Sequence, residues 1–171
     1  MRSINLILFL MLLSVPCAAQ SVCDAESTKT IQLENLRLAM SPDEVQAVVG
    51  RTLKIKIKRT GERTFFQNFI DRPSPRTLPG VRAVYLRFFE GRLYQIEIFY
   101  ENRSDWPTLV SFTAKLSANM DLPAQWPTEK GKSELRCGAI SLVADQVLNP
   151  RIEITDEAVR AQVEILRKKK D

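Results

Sequence analysis

Histidine is absent from all 171 residues. That excludes Ser-His-Asp and Cys-His catalysis in their usual forms, and the common imidazole-based zinc sites. No catalytic residue, metal ligand set or cofactor is therefore expected. The cysteines form no C-x-x-C pair, so a redox motif of that type is missing as well. No apolar run reaches the roughly 20 residues that a membrane-spanning helix needs, and no span is expected once a leader is removed. Solenoid repeats and coiled-coil heptads are also lacking. Charge is only mildly unbalanced, at +5 from 25 Lys and Arg against 20 Asp and Glu. Such a balance permits an anionic partner without naming one.

What is present begins with a targeting segment. Arg2 supplies a short positive region, residues 4–15 are apolar, and Cys17, Ala18 and Ala19 give small residues before Gln20. This predicts a cleaved secretory signal over residues 1–19 and a periplasmic or secreted chain from residue 20. Lipidation at Cys17 is the alternative, and Pro16 directly before it is a poor lead-in. Cleavage removes Cys17 and leaves Cys23 and Cys137 as a pair in an oxidising compartment. A bridge between them would constrain the unfolded chain by on the order of 4–5 kcal/mol.

Residues 36–50 (LRLAMSPDEVQAVVG) read as a complete helix unit. Ser41 is an N-cap, Pro42 suits the first helical position, and Glu44 completes an S-x-x-E capping box. Val45, Val48 and Val49 give the apolar face, and Gly50 closes it. Before it, Ile31, Leu33 and Asn35 alternate as a short strand. After it, residues 51–59 (RTLKIKIKR) alternate most clearly, with Leu53, Ile55 and Ile57 on one side and Lys54, Lys56 and Lys58 on the other. A turn at residues 60–62 leads to a second strand over residues 63–70.

Residues 71–80 hold three prolines and form a loop. Residues 81–101 predict a hairpin around Glu90 and Gly91. A bulge at Gly91 would place Val84, Leu86, Phe88, Tyr94, Ile96 and Ile98 on one face. Ser104 or Asp105 would cap a second helix containing Trp106, Leu109, Phe112, Leu116 and Met120. Residues 133–143 predict a strand carrying Cys137, and residues 151–155 another. Thr155 or Asp156 then caps a terminal helix with Val159, Val163 and Leu166 inward and a basic end. The chain from residue 20 thus reads as one α+β domain, a mostly antiparallel sheet with two or three helices packed on it.

The run Ala39-Met40-Ser41-Pro42-Asp43-Glu44-Val45, continuing to Val49 and Gly50, resembles the G-M-[ST]-x-x-[EQ]-V…[LIV]-G signature of small bacterial envelope domains. These are the SmpA/OmlA (BamE-like) family, whose fold is shared by the β-lactamase-inhibitor-protein group. Ala39 stands where that signature has glycine. The resemblance implies a helix on an antiparallel sheet and a module that binds another envelope or secreted protein without catalysis.

Three stretches could make contacts. Lys54, Lys56 and Lys58 would form a stripe with side chains about 7 Å apart, suited to an acidic protein or an anionic surface. The plain alternative is a solvated edge strand protected from aggregation. Arg72 and Arg76 lie in the proline-rich loop, and Trp126 sits on a stiff loop between Pro123 and Pro127, where an aromatic could equally anchor a partner or cap the core edge. Nucleic acid is not expected for an exported chain without a recognised nucleic-acid motif. Asp43 and Glu44 are explained by capping, and the remaining acids are too scattered to predict a hydrolytic pair. The readings carried forward are a non-enzymatic binding module, an inhibitor of a secreted enzyme, and a carboxylate-based hydrolase.

Overall fold

The computed structural model describes residue 23 and residues 31–50, 53–70, 74–101 and 106–169. The leader therefore lies outside the described residues, as does Arg72. Eight antiparallel strands make one sheet, in the order β3-β4-β5-β6-β10-β9-β8-β7. They are β3 (Lys56–Ile57), β4 (Arg63–Asn68), β5 (Val81–Phe89), β6 (Arg92–Tyr100), β7 (Thr128–Glu129), β8 (Lys132–Cys137), β9 (Ile140–Asp145) and β10 (Arg151–Asp156). A small separate hairpin, β1 (Gln32–Leu33) with β2 (Leu36–Arg37), precedes helix α1 (Pro42–Val49). Helix α2 (Leu109–Met120) carries the chain from β6 to the far edge, and α3 (Glu157–Lys168) follows β10.

The first helix forms for the reasons its sequence states. Ser41 Oγ accepts from the Glu44 N–H at 3.3 Å, and Glu44 Oε2 accepts from the Ser41 N–H at 2.7 Å. Val45 and Val49 are fully buried, and Gly50 ends the helix at φ 69°. The residue before the Met-Ser pair is also left-handed, with Ala39 at φ 66°. That geometry directs the Ala39 N–H to the Leu93 carbonyl at 2.7 Å, while the Leu93 N–H reaches Met40 O at 2.8 Å. Ala39→Gly is expected to raise the unfolding free energy by about 0.5 kcal/mol: relief of a left-handed Cβ (~1–2 kcal/mol) outweighs glycine's extra unfolded freedom (~1 kcal/mol). A urea midpoint that falls instead would show that the site does not strain alanine.

One face of the sheet carries the core. Phe65, Leu86, Ile96, Ile98, Ile152, Ile154, Leu142 and Leu135 align across the strands and bury against α1, α2 and the small hairpin. Cys23 is joined to Cys137, the last residue of β8, with Cα atoms 4.7 Å apart and both side chains buried.

Several expectations are corrected. Among the described residues of the alternating stretch 51–59, the ladder is confined to Lys56 and Ile57, because the chain turns aside at Ile55, whose N–H donates to Leu53 O. Ile57 is consequently 70% exposed. The short strand at residues 31–35 is instead a hairpin, with Glu34 and Asn35 both at positive φ. In the main hairpin Glu90 and Gly91 form a plain two-residue turn, and the bulge lies further on. Leu93 stands opposite Phe88, and Gln95 opposite Arg87, leaving Tyr94 as the extra residue. Tyr94 therefore leaves the common apolar face. The strand over residues 133–143 divides at Gly138 into β8 and β9. Thr108, rather than Ser104 or Asp105, caps α2 through a box with Ser111, so Trp106 precedes the helix. It still stacks on Tyr100 and Phe112, at ring separations of 4.9 and 5.2 Å.

Candidate binding surface

The second face of the sheet is crossed by α3 along one row. Glu157, at the start of the helix, accepts a hydrogen bond from Ser141 on β9, and Arg167, in its last turn, reaches Glu62 just before β4. Between these ends the cross-strand partners are Ser141, Thr155, Gln95, Arg87 and Thr64. Twelve helical residues span about 18 Å and four interstrand steps about 19 Å, so the helix is just long enough for that row. Val163 points down and is buried, as are Thr155 and Gln95.

Glu62 holds the far end of the helix. It is fully buried in a turn, yet Lys58, Arg87 and Arg167 converge on it at 3.3, 3.8 and 2.7 Å, and the Tyr94 hydroxyl donates at 2.8 Å. Burial alone would raise its carboxyl pKa. The hydrogen bonds from Arg167 and Tyr94 and the charge of Lys58 outweigh that, and it titrates below its ordinary value. Burial, and the same carboxylate, push the Tyr94 hydroxyl up to about 12.

Among the described residues no helix lies over the rows beyond α3. Glu153 lies between Val143 and Glu97, and the row continues through Tyr85 to Phe66. Phe66 is 58% exposed, Tyr85 and Glu97 are half-buried, and the Arg87 guanidinium sits 5.0 Å over the Tyr85 ring. In the next row Arg151 bridges two carboxylates. It donates to Glu97 Oε1 at 2.6 Å and to Asp145 Oδ2 through Nε at 3.0 Å. Beside it lies a shallow depression of about 350 Å³, lined by Phe99, Lys132, Asp145, Val147, Leu148 and Arg151. Val147 and Leu148 are 71% and 80% exposed. Exposed apolar side chains beside paired charges make a surface that can bury an apolar anchor within a polar rim.

Hydrolysis by two carboxylates needs one acid and one base or nucleophile facing a common space. Here Glu97 and Asp145 are both committed to Arg151, and Glu62 belongs to a different ion cluster. Among the described residues no group of three His, Cys, Asp or Glu is placed to hold a metal ion. Nor is any described helix long and apolar enough to cross a membrane.

The predicted contact residues fare unequally. Lys54 and Lys56 are exposed, while Lys58 is drawn to Glu62, so the stripe is two free lysines and one engaged. Arg76 is exposed in a loop that Leu78 anchors in the core. Trp126 is not available to a partner. It is 7% exposed, and its indole N–H donates to Ser117 Oγ at 2.8 Å and Pro123 O at 3.1 Å, so it seals the core beside α2. Sequence reasoning missed the open rows themselves. Their signal is the polar-side set on alternating strands, namely Tyr85, Glu97, Phe99, Arg151 and Glu153. Comparison of the chain with protein-family models, with curated proteins and with solved structures finds no match.

Proposed function

We propose that this chain is an exported, non-enzymatic module that binds another protein in the cell envelope or outside it. The surface it presents is the part of the second sheet face that α3 leaves uncovered. The observation that carries this reading is the row from Phe66 through Tyr85 and Glu97 to Glu153, which no described element covers, whereas Thr155, Gln95 and Thr64 in the row beside it are buried beneath α3. Export is supported by the leader-like residues 1–19 and by the Cys23–Cys137 bridge, which suits an oxidising compartment. The resemblance to the BamE-like signature points the same way. Ala39 has the left-handed backbone that glycine would favour at that position of the motif.

An inhibitor of a secreted enzyme is the second reading, and it would place the affinity in loops. The burial of Trp126 removes the strongest loop anchor and favours the sheet face. Affinity capture from envelope and secreted fractions, with the chain starting at Gln20, tests the proposal. Phe66→Lys and Glu153→Lys are each expected to weaken recovery of the captured protein about tenfold or more, as for residues near the centre of an interface. Ala114→Lys, on the exposed side of α2, should leave it unchanged. Full recovery with both face variants would overturn the assignment of the surface.

A further inference from the structure

Among the described residues the outer edge of β4 lacks a strand partner beyond Thr64. The Phe69 N–H donates inward to Arg82 O at 2.8 Å, and the Lys58 N–H reaches outward-facing Glu62 O at 2.8 Å. Because backbone groups alternate along a strand, Thr64, Phe66 and Asn68 direct theirs away from β5. β3 satisfies only the first of these, since its pairing stops at Lys56 opposite Thr64. Two further residues in that register would bring Lys54 opposite Phe66. Instead Ile55 turns back on Leu53, whose N–H lies 3.4 Å from Gln46 Oε1 of α1. Among the described residues no strand pairs with Phe66 and Asn68 on that side, although the Asn68 carbonyl accepts from its neighbour Gln67 Nε2 at 2.6 Å.

The side chains around this edge carry a second signal. Phe66 and Ile70, on the same side of the strand, are 58% and 54% exposed. Residues 53–70 hold Lys54, Lys56, Lys58, Arg59 and Arg63 against a single acid, Glu62, which the buried cluster consumes. Lys54, Lys56 and Arg63 are exposed and make no ion pair among the described residues. A second copy of the chain would bring these cations against themselves. An extended acidic segment would meet them with opposite charge.

We infer that the β4 edge takes up an extended, acidic segment of a partner protein as an added strand. The Phe66 N–H and C=O and the Asn68 N–H supply the hydrogen bonds, Phe66 and Ile70 receive an apolar side chain, and Lys54, Lys56 and Arg63 select carboxylates. This deepens the protein-binding reading and rests on it.

The test uses the full chain from Gln20 and a blocked seven-residue peptide of alternating Val and Glu. Titration is followed by amide shifts and by hydrogen exchange at Phe66 and Asn68. Saturable binding with slowed exchange at these two amides is expected. A peptide N-methylated on its sheet-facing amides should bind about tenfold more weakly or worse, because ladder hydrogen bonds are lost without any change to the protein. The Lys54→Glu, Lys56→Glu, Arg63→Glu variant should prefer the peptide with Lys in place of Glu. Overturning results are no change at Phe66 and Asn68 at millimolar peptide, equal binding of the N-methylated peptide, or shifts at Lys54 and Lys56 with anionic phosphatidylglycerol vesicles alone. Any of these would leave Glu153→Lys, on β10 and away from the β4 edge, as a separate test of the wider reading.

Discussion

Replacing both Cys23 and Cys137 by alanine is expected to cost on the order of 4–5 kcal/mol of stability, the largest effect foreseen for this molecule. The bridge joins residues 114 apart in sequence, so it removes a large amount of freedom from the unfolded chain. It also fastens Cys23 to the end of β8, where both side chains are buried. Alanine avoids placing hydroxyls in that apolar site. For a domain whose whole stability is about 5–15 kcal/mol, such a loss is a large fraction. Urea unfolding measures it. Reductant should bring the unmodified chain to the same midpoint as the variant, and should not move the variant further. A midpoint indifferent both to reductant and to the substitutions would show that the bridge contributes nothing.

Glu62→Gln is expected to destabilise the fold by about 3 kcal/mol near neutral pH, the lower end for breaking a buried ion cluster. The lower end applies because Lys58, Arg87 and Arg167 are each partly exposed and can recover some hydration. The acid dependence gives an independent signature. The folded-state carboxyl titrates below its ordinary value of 4.5. Its stabilisation is therefore complete above that value and is lost as pH falls through the lower folded-state value. Between about pH 5 and pH 2 the native chain should lose more stability than the Gln variant, and the two curves should converge. Hydrogen exchange should also show α3 opening first in the variant, since Arg167 loses its anchor. Parallel pH curves would mean that Glu62 is not the group holding the helix.

What the sequence made legible was local. The Ser41–Glu44 box, Pro42 and Gly50 specify α1 within ten consecutive residues, and the structure has each contact. The mostly antiparallel α+β class was legible from alternation, and so was the sharing of one face by Val84, Leu86, Ile96 and Ile98. The placement of the bulge was not, because shifting it to Tyr94 exchanges two large apolar residues between faces with no change in composition. Residues 51–59 alternate as a strand should, but whether a strand is paired depends on its neighbour. There, the link from Leu53 to Gln46 takes the chain away from β4. Gly138 was a readable signal for the β8–β9 turn.

The proposed binding surface was harder to see than the fold for the same reason. Glu62 gathers partners up to 105 residues away, and nothing near it in the chain announces that it is buried. Trp126 among its prolines could anchor a partner or cap the core edge, and the Ser117 hydrogen bond, 9 residues back in sequence, decides for the core. The polar sides of β5, β6 and β10 could be written down in advance. Which part of them α3 would cover depended on the helix length and its two end contacts.

The central claim is that the uncovered sheet face meets a protein. A photo-cross-linking residue placed at Tyr85, in chain expressed and exported in cells, tests it most directly. The same residue at Val110, which is 71% exposed on α2, serves as the comparison. One discrete cross-linked protein from position 85, absent from position 110, is the predicted result. Cross-linking from position 110 with none from position 85 would contradict the account and move the interface to the helical side.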